Sequence, residues 1–150
     1  MRVLIDTTVI VDVDRGDEEV IELCRELSRT HEALISTVTV SEILTGSYLR
    51  KDYLKAVKKA KRVLGQFSWI NLNGAIAEKV AQLNAYLIAE GQPIEYQDQV
   101  ISASCLTTGS GILLTNNKEH FTRIPALKDR VYTPHDLKEK LRIGGSKEQN

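Results

Sequence analysis

Residues 3–8 have the sequence VLIDTT, in which three apolar residues precede one carboxylate and two hydroxyl groups. Residues 3–5 are short and lack polar alternation, which is typical of a strand buried on both faces of a sheet. Four later segments have the same character, at 33–35, 68–70, 111–114 and 131–132. The sequence therefore predicts five buried strands, the first of which ends at Asp6.

Helical patterns separate these strands. Apolar residues recur at intervals of three and four over 17–30, 52–65, 75–90 and 97–108, and Thr133-Pro134 indicates a last helix over 135–142. In 52–65 the expected inward stripe consists of Leu54, Val57, Ala60 and Leu64. Strands that alternate with helices predict an α/β fold, with a parallel sheet covered on both faces.

Length and composition favour one globular domain. The chain has 150 residues, of which 42% are hydrophobic and 27% charged. No apolar run is long enough to span a membrane, and Asp6 interrupts the only stretch that resembles a signal peptide, so we expect a cytoplasmic protein. The domain should cover 1–142, and the small polar residues at 143–150 should form a disordered tail. Cys24 and Cys105 form either one disulfide or, as we expect in a reducing compartment, two free thiols.

The charges balance over the whole chain but not locally. Twenty basic residues match twenty acidic ones, so any attraction for a polyanion must come from a local patch. Residues 12–26 carry seven acids and two bases, whereas residues 50–62 carry seven bases and one acid. Five of those bases follow a helical spacing and form one stripe: Lys51, Lys55, Lys58, Lys59 and Arg62. This stripe is either a solvated face or a ridge that binds RNA phosphates.

Four polar residues lie where an open α/β sheet places its active site, near the carboxyl ends of the strands. They are Asp6, Glu42, Asp98 and Asn117. Carboxylates that converge repel one another unless a cation lies among them, and a hard ion such as Mg²⁺ or Mn²⁺ prefers oxygen ligands. Each residue taken alone also fits an ordinary role as a helix cap, a turn residue or a solvated side chain.

Other catalytic motifs are missing from the sequence. It contains no GxGxxG, no GxxxxGK[ST] and no GxSxG. His31, His120 and His135 are isolated from any Ser or Cys partner in a recognisable motif, so we expect them to have structural or surface roles. A phosphatase that uses Asp6 as nucleophile is disfavoured, because Thr8 stands where such enzymes usually need a second acid.

The sequence resembles the PIN-domain family, in particular the VapC-type toxins of toxin–antitoxin pairs. Four segments carry the resemblance, in family order: VLIDTTVIVD at 3–12, TVSEIL at 39–44, DQVISASCLTTG at 98–109 and LLTNNKEHFTRIP at 113–125. The resemblance implies a five-stranded parallel sheet in the order 3-2-1-4-5. It also implies a small antitoxin partner and self-association into a homodimer or a higher homo-oligomer.

The same resemblance assigns roles to individual residues. It implies that Asp6, Glu42 and Asp98 form an acidic metal site in which Asp6 and Asp98 hold Mg²⁺ or Mn²⁺. Thr7 and Thr115 match small hydroxyl positions beside that site. Asn117 stands where many members carry a fourth acid, which leaves the local charge one unit less negative.

Together these observations predict an endoribonuclease that depends on a divalent metal and leaves 5′-phosphate and 3′-hydroxyl ends. The alternative is a catalytically weak relative that binds RNA or protein, and Asn117 is the residue that favours it.

Overall fold

A computed structural model describes residues 1–141. The strands are β1 (Arg2–Ile5), β2 (Glu32–Ser36), β3 (Ser68–Ile70), β4 (Ile112–Leu114) and β5 (Val131–Tyr132). The helices are α1 (Thr7–Arg15), α2 (Glu18–Thr30), α3 (Thr37–Tyr48), α4 (Tyr53–Leu64), α5 (Gly74–Ala89), α6 (Tyr96–Thr107), α7 (Lys118–Thr122) and α8 (Pro134–Leu141), with a 3₁₀ turn at Pro125–Leu127. The expected tail at 143–150 lies outside the described residues.

The five strands form one parallel sheet in the order β3-β2-β1-β4-β5, which confirms the predicted fold. In the centre, Val3 is in register with Ala33 of β2 and with Ile112 of β4. The chain crosses from β1 to β2 on one side and returns to β4 on the other. The end of β1 is therefore the switch point of the sheet, where an open α/β fold forms its cleft.

Successive residues of each inner strand face two separate cores, as the two-residue repeat of a strand requires. Val3 and Ile5 pack into a core that includes residues of α1 to α4 and of α8. Leu4 points to the opposite face and packs into a core that includes residues of α5, α6 and α7. The sheet is thus covered on both faces, and its polar side chains gather at the strand ends.

Helix α1 begins immediately after Asp6, within a stretch whose β-branched residues resemble strand. Val9, Ile10 and Val13 are buried in the first core, at a spacing that only a helix can place on one face. The helix ends at Gly16, which has a φ of 87° and adopts the left-handed conformation that glycine tolerates. Asp6 and the following threonines are therefore fixed between a central strand and a packed helix.

Two expectations from the sequence are wrong in detail. Leu54 is 77% exposed, so the buried stripe of α4 consists instead of Val57, Ala60, Val63 and Leu64. Strand β3 lies at the sheet edge, and its first two residues are exposed rather than buried on both faces.

Cys24 and Cys105 are both buried and free, which excludes the disulfide. Burial raises the pKa of each thiol to about 12. Among residues 1–141, no helix is long and apolar enough to cross a membrane.

Candidate active site

Asp6 lies at the centre of the cleft and is only 2% exposed. It follows β1, and its backbone N–H donates to the carbonyl of Leu114 at the end of β4. One carboxylate oxygen, Oδ2, accepts hydrogen bonds from Thr8 Oγ1 at 2.7 Å and from Thr115 Oγ1 at 2.8 Å. Asp6 occupies the N-cap position of α1, but its side chain makes no capping hydrogen bond. Its carboxylate is therefore fixed through Oδ2, and the cap interpretation does not account for the side chain.

Glu42 projects from α3 towards the same place and is held by a relay of two hydroxyl groups. Its Oε1 accepts a hydrogen bond from Thr7 Oγ1 at 2.8 Å, and Thr7 Oγ1 lies 2.9 Å from Thr39 Oγ1. Because Thr7 has one hydroxyl proton and gives it to Glu42, Thr39 must donate to Thr7. Thr39 is fully buried, so the relay anchors Glu42 in the protein interior.

Asp98 lies in the first turn of α6 but does not cap that helix, whose N-cap position is Glu95. Its Oδ2 lies 2.9 Å from Nδ1 of His120 in α7. His120, for which the sequence indicates no Ser or Cys partner, thus contacts one of the three acids. The sequence could not show this contact, because it depends on how α6 and α7 pack together.

Electrostatic repulsion links the three acids. Burial is the largest cause that raises the pKa of Asp6, and the charge of Asp98 raises it further, against the lowering effect of hydrogen bonds from Thr8 and Thr115. Burial also raises the pKa of Glu42, and the charges of Asp6 and Asp98 add to this shift. Among the described residues 1–141, no basic side chain is one of the groups that shift either pKa. The cleft is thus a site of uncompensated negative charge.

Asn117 lies beside this cluster, at the N-cap position of α7. Its backbone N–H donates to Thr115 Oγ1 at 2.9 Å, but within residues 1–141 its side chain makes no hydrogen bond. The neighbouring Asn116 makes more contacts: its backbone N–H donates to Thr8 Oγ1, and its amide donates to Oδ2 of Asp12 at 2.8 Å. Asp12 therefore ties α1 to the loop after β4.

Comparison with known proteins identifies the family. The model of the PIN domain matches residues 3–127, which is most of the chain. The chain belongs to the PIN-domain family. A sequence comparison with curated proteins finds no match.

Solved structures share the fold of this PIN domain. VapBC2 from Rickettsia felis, bound to a promoter DNA fragment, has a TM-score of 0.80 at 20% identity, over 89% of this chain and 98% of the other. DNA-bound VapBC from Salmonella typhimurium gives the same four values. FitAcB from Neisseria gonorrhoeae has a TM-score of 0.73 at 23% identity, over 89% and 98% of the two chains. These similarities confirm the fold.

The donors of this PIN domain suit a hard divalent cation that keeps much of its water. Carboxylate oxygens are the ligands that Mg²⁺ and Mn²⁺ prefer, and Mg²⁺ is usually bound by one or two carboxylates. Within the described residues no group of three or more His, Cys, Asp or Glu is placed to hold a metal ion. Asp6 and Asp98 are the two carboxylates expected to hold such an ion, with water completing its ligands.

Three residues of this PIN domain position the acids or their partners without being predicted from the sequence: Thr8, Thr39 and Asn116. The sequence feature that points to Thr8 is its position two residues after Asp6. Thr39 carried a signal of the same kind, because it lies three residues before Glu42 in the segment TVSEIL. Asn116 had no separate signal, because either asparagine of the pair could have faced the cleft.

The predicted basic stripe is exposed in this PIN domain. Lys55, Lys58, Lys59 and Arg62 lie on one face of α4, and Lys51 lies in the turn before it. A cavity of about 340 Å³ lies elsewhere, lined in part by Ser28, His31 and Gln66. It adjoins the amino ends of β2 and β3, whereas the acids lie at the carboxyl ends of the strands. Its lining contains none of the candidate catalytic residues.

Proposed function

We propose that this PIN domain is an endoribonuclease that depends on Mg²⁺ or Mn²⁺ and is the toxin of a VapBC-type toxin–antitoxin pair. The observation that carries the proposal is the group of three acids at the switch point, in which burial and mutual repulsion raise the pKa values of Asp6 and Glu42. Such a group costs folding free energy, and a bound cation would recover that cost.

In this proposal Asp6 and Asp98 hold the ion. The ion, when bound, lowers the pKa of a coordinated water and stabilises the charge that develops on a phosphodiester. Thr8 and Thr115 occupy Oδ2 of Asp6 and leave Oδ1 available as a ligand. Thr7 similarly fixes one oxygen of Glu42 and leaves Oε2 available to orient the attacking water and accept its proton. The new P–O bond forms as the bond to O3′ breaks, so the phosphate stays on the 5′ end.

We further propose that a small antitoxin binds this chain and that the chain forms a homodimer. The structural neighbours are VapBC and FitAcB assemblies, and this supports a protein partner. Exposed apolar side chains at the junction of α3 and α4 support an interaction surface, either for a second copy of this chain or for the antitoxin: Tyr48, Leu49, Tyr53 and Leu54. We place this activity in the cytoplasm, where RNA and a newly made antitoxin are both present.

A binding module without efficient chemistry is the second candidate, and Asn117 is the observation that favours it. Its neutral side chain replaces an acid that the resemblance leads us to expect, and it makes no hydrogen bond within the described residues. A site with one carboxylate fewer binds cations less tightly, and the affinity for a second cation falls more than the affinity for the first. The binding-module candidate therefore requires that the site binds metal poorly.

The decisive experiment incubates the purified protein with a panel of structured RNAs, with Mn²⁺ or with a chelator. Cleavage should require the metal, and Asp6→Asn and Asp98→Asn should each reduce it at least about 100-fold, because each removes a charged ligand. Asp129→Asn is the matched control, since Asp129 is exposed and remote from β1 in sequence. Binding of RNA without cleavage would establish the binding module, and cleavage unchanged in both variants would refute the assignment of the site.

A further inference from the structure

The contact between His120 and Asp98 is the one interaction at the cleft that brings an imidazole to an acid. Nδ1 of His120 and Oδ2 of Asp98 are 2.9 Å apart, and the two side chains are 42% and 17% exposed. Within residues 1–141 no other side chain donates a hydrogen bond to the Asp98 carboxylate. Asp98 thus has a single fixed partner, in contrast to Asp6, on which two threonine hydroxyls converge.

The element that carries His120 is itself firmly held. The backbone N–H of His120 donates to the carbonyl of Asn117, and the next residue, Phe121, is completely buried in the second core. Ahead of α7, Thr115 donates to Asp6. The segment from Thr115 to His120 therefore contacts two of the three acids, one at each end, and holds their relative positions.

The chemistry of this contact defines the tautomer of the ring. An ionised carboxylate can only accept hydrogen bonds, so Nδ1 of His120 must carry the proton that it gives to Oδ2. We propose that His120 is a positioning residue for Asp98: it occupies Oδ2 and leaves Oδ1 to bind the divalent cation. The inference rests on the proposed function, because it takes Asp98 as a ligand of that ion.

This role has a measurable consequence. Groups that hydrogen-bond a metal ligand orient it, and their loss typically lowers metal affinity or activity about 10- to 100-fold. His120→Ala should therefore weaken Mn²⁺ binding by at least about 10-fold. His120→Asn should recover most of the affinity, because its amide nitrogen can take the place of Nδ1. His120→Gln should recover less, because its amide reaches the position of Nε2 instead.

The first measurement needs no metal. Histidine labelled with ¹⁵N gives only three imidazoles in this chain, and Asp98→Ala together with His120→Asn assigns the ring of His120. At a pH high enough that the ring-nitrogen chemical shifts no longer change with pH, the neutral tautomer can be read directly. His120 should be protonated at Nδ1 in the parent and should revert in Asp98→Ala to the Nε2–H form that free histidine favours. A parent ring protonated at Nε2 would overturn the proposal.

The second measurement titrates Mn²⁺ calorimetrically into the parent, the three His120 variants and Asp98→Asn. His135→Ala is the control, because His135 is exposed on α8 and, among residues 1–141, forms its one ion pair with Glu139. Circular dichroism melts check that each variant folds, and the weaker binding expected of His120→Gln is the test if His120→Ala does not fold. Weakening in Asp98→Asn without weakening in the His120 variants refutes the positioning role alone. An Asp98→Asn variant that binds Mn²⁺ as the parent does refutes the metal site of the proposed function itself.

Discussion

Asp6 shows how a single residue of this PIN domain trades stability for a charged site. It is almost fully buried, and its carboxylate is stabilised by the hydroxyl groups of Thr8 and Thr115 and by the backbone of Thr7, while Asp98 repels it. Burial of a charge without an opposite charge is costly, and active sites commonly retain such costs because the charge is needed there. The destabilised carboxylate is therefore the expected signature of a cation site in the metal-free protein.

We accordingly predict that Asp6→Asn stabilises the metal-free protein although it abolishes the proposed cleavage. The asparagine carbonyl can still accept from Thr8 and Thr115, whereas the repulsion disappears. The gain near neutral pH should be on the order of 1 kcal/mol, or about 3 °C in the melting temperature. Melts in a chelator measure it, and Mn²⁺ should raise the melting temperature of the parent more than that of the variant. A lower melting temperature of the chelated variant would contradict the prediction.

The pH dependence of this difference follows from the direction of the pKa shift. The folded protein holds the Asp6 proton to higher pH than the unfolded chain, because burial raises the pKa above its ordinary value of 3.8. The contribution of the protonated Asp6 to the free energy of unfolding of the parent is complete below pH 3.8. It is lost as the pH rises through the raised pKa. The advantage of Asp6→Asn over the parent should therefore grow from about pH 4 to neutrality. A difference that is constant with pH would show that repulsion and burial are not its cause.

At the scale of elements, the sequence predicts the helices and strands whose apolar residues follow a strong periodic pattern. Asp17 begins the helix predicted over 17–30 and caps it through a hydrogen bond from Val20, and the five strands lie within one residue of the predicted positions. The sequence does not predict helix α1, because its Val and Ile residues favour strands. Packing against the sheet overrides that preference. The sequence predicts that the three acids converge, but it does not predict the partner of Asp98, because His120 lies 22 residues away on a helix of only five residues.

Helix α4 carries the prediction on RNA binding. If its basic stripe binds phosphates, replacing Lys55, Lys58 and Lys59 with Gln should weaken RNA binding and flatten the slope of log affinity against log salt. Each phosphate contact on a single strand contributes roughly 0.7 to that slope, so three contacts contribute about 2. Filter binding to an uncleaved RNA in the Asp98→Asn background, at several salt concentrations, measures the slope.

The control for the stripe is Mn²⁺ affinity, which should not change, because these side chains are not ligands. A second control replaces Lys128 with Gln, since this lysine is exposed and lies outside α4. An unchanged salt slope in the triple variant would mean that the stripe is only a solvated face of the helix.

At the scale of the whole molecule, the proposed homodimer can be tested at the junction of α3 and α4. Leu49 is 82% exposed there and lies close in sequence to the equally apolar and exposed Leu54. Leu49→Lys with Leu54→Lys should convert the parent dimer into a 16.8 kDa monomer, because two charges would be buried at the interface. Sedimentation velocity measures the mass, and Ile88→Lys on α5 is the control. A parent that sediments as a monomer would refute self-association and leave the junction free for the antitoxin.

The hydrogen bond between Thr115 and Asp6 spans 109 residues, and this distance has a consequence for synthesis. A ribosome adds about 5–20 residues each second, so on the order of ten seconds separate the appearance of the two side chains. During that interval β1 has no β4 to pair with, and the acids have no fixed arrangement. We therefore expect the proposed nuclease to be inert while it is being translated, and the proposed antitoxin gains those seconds to meet it before it can cut.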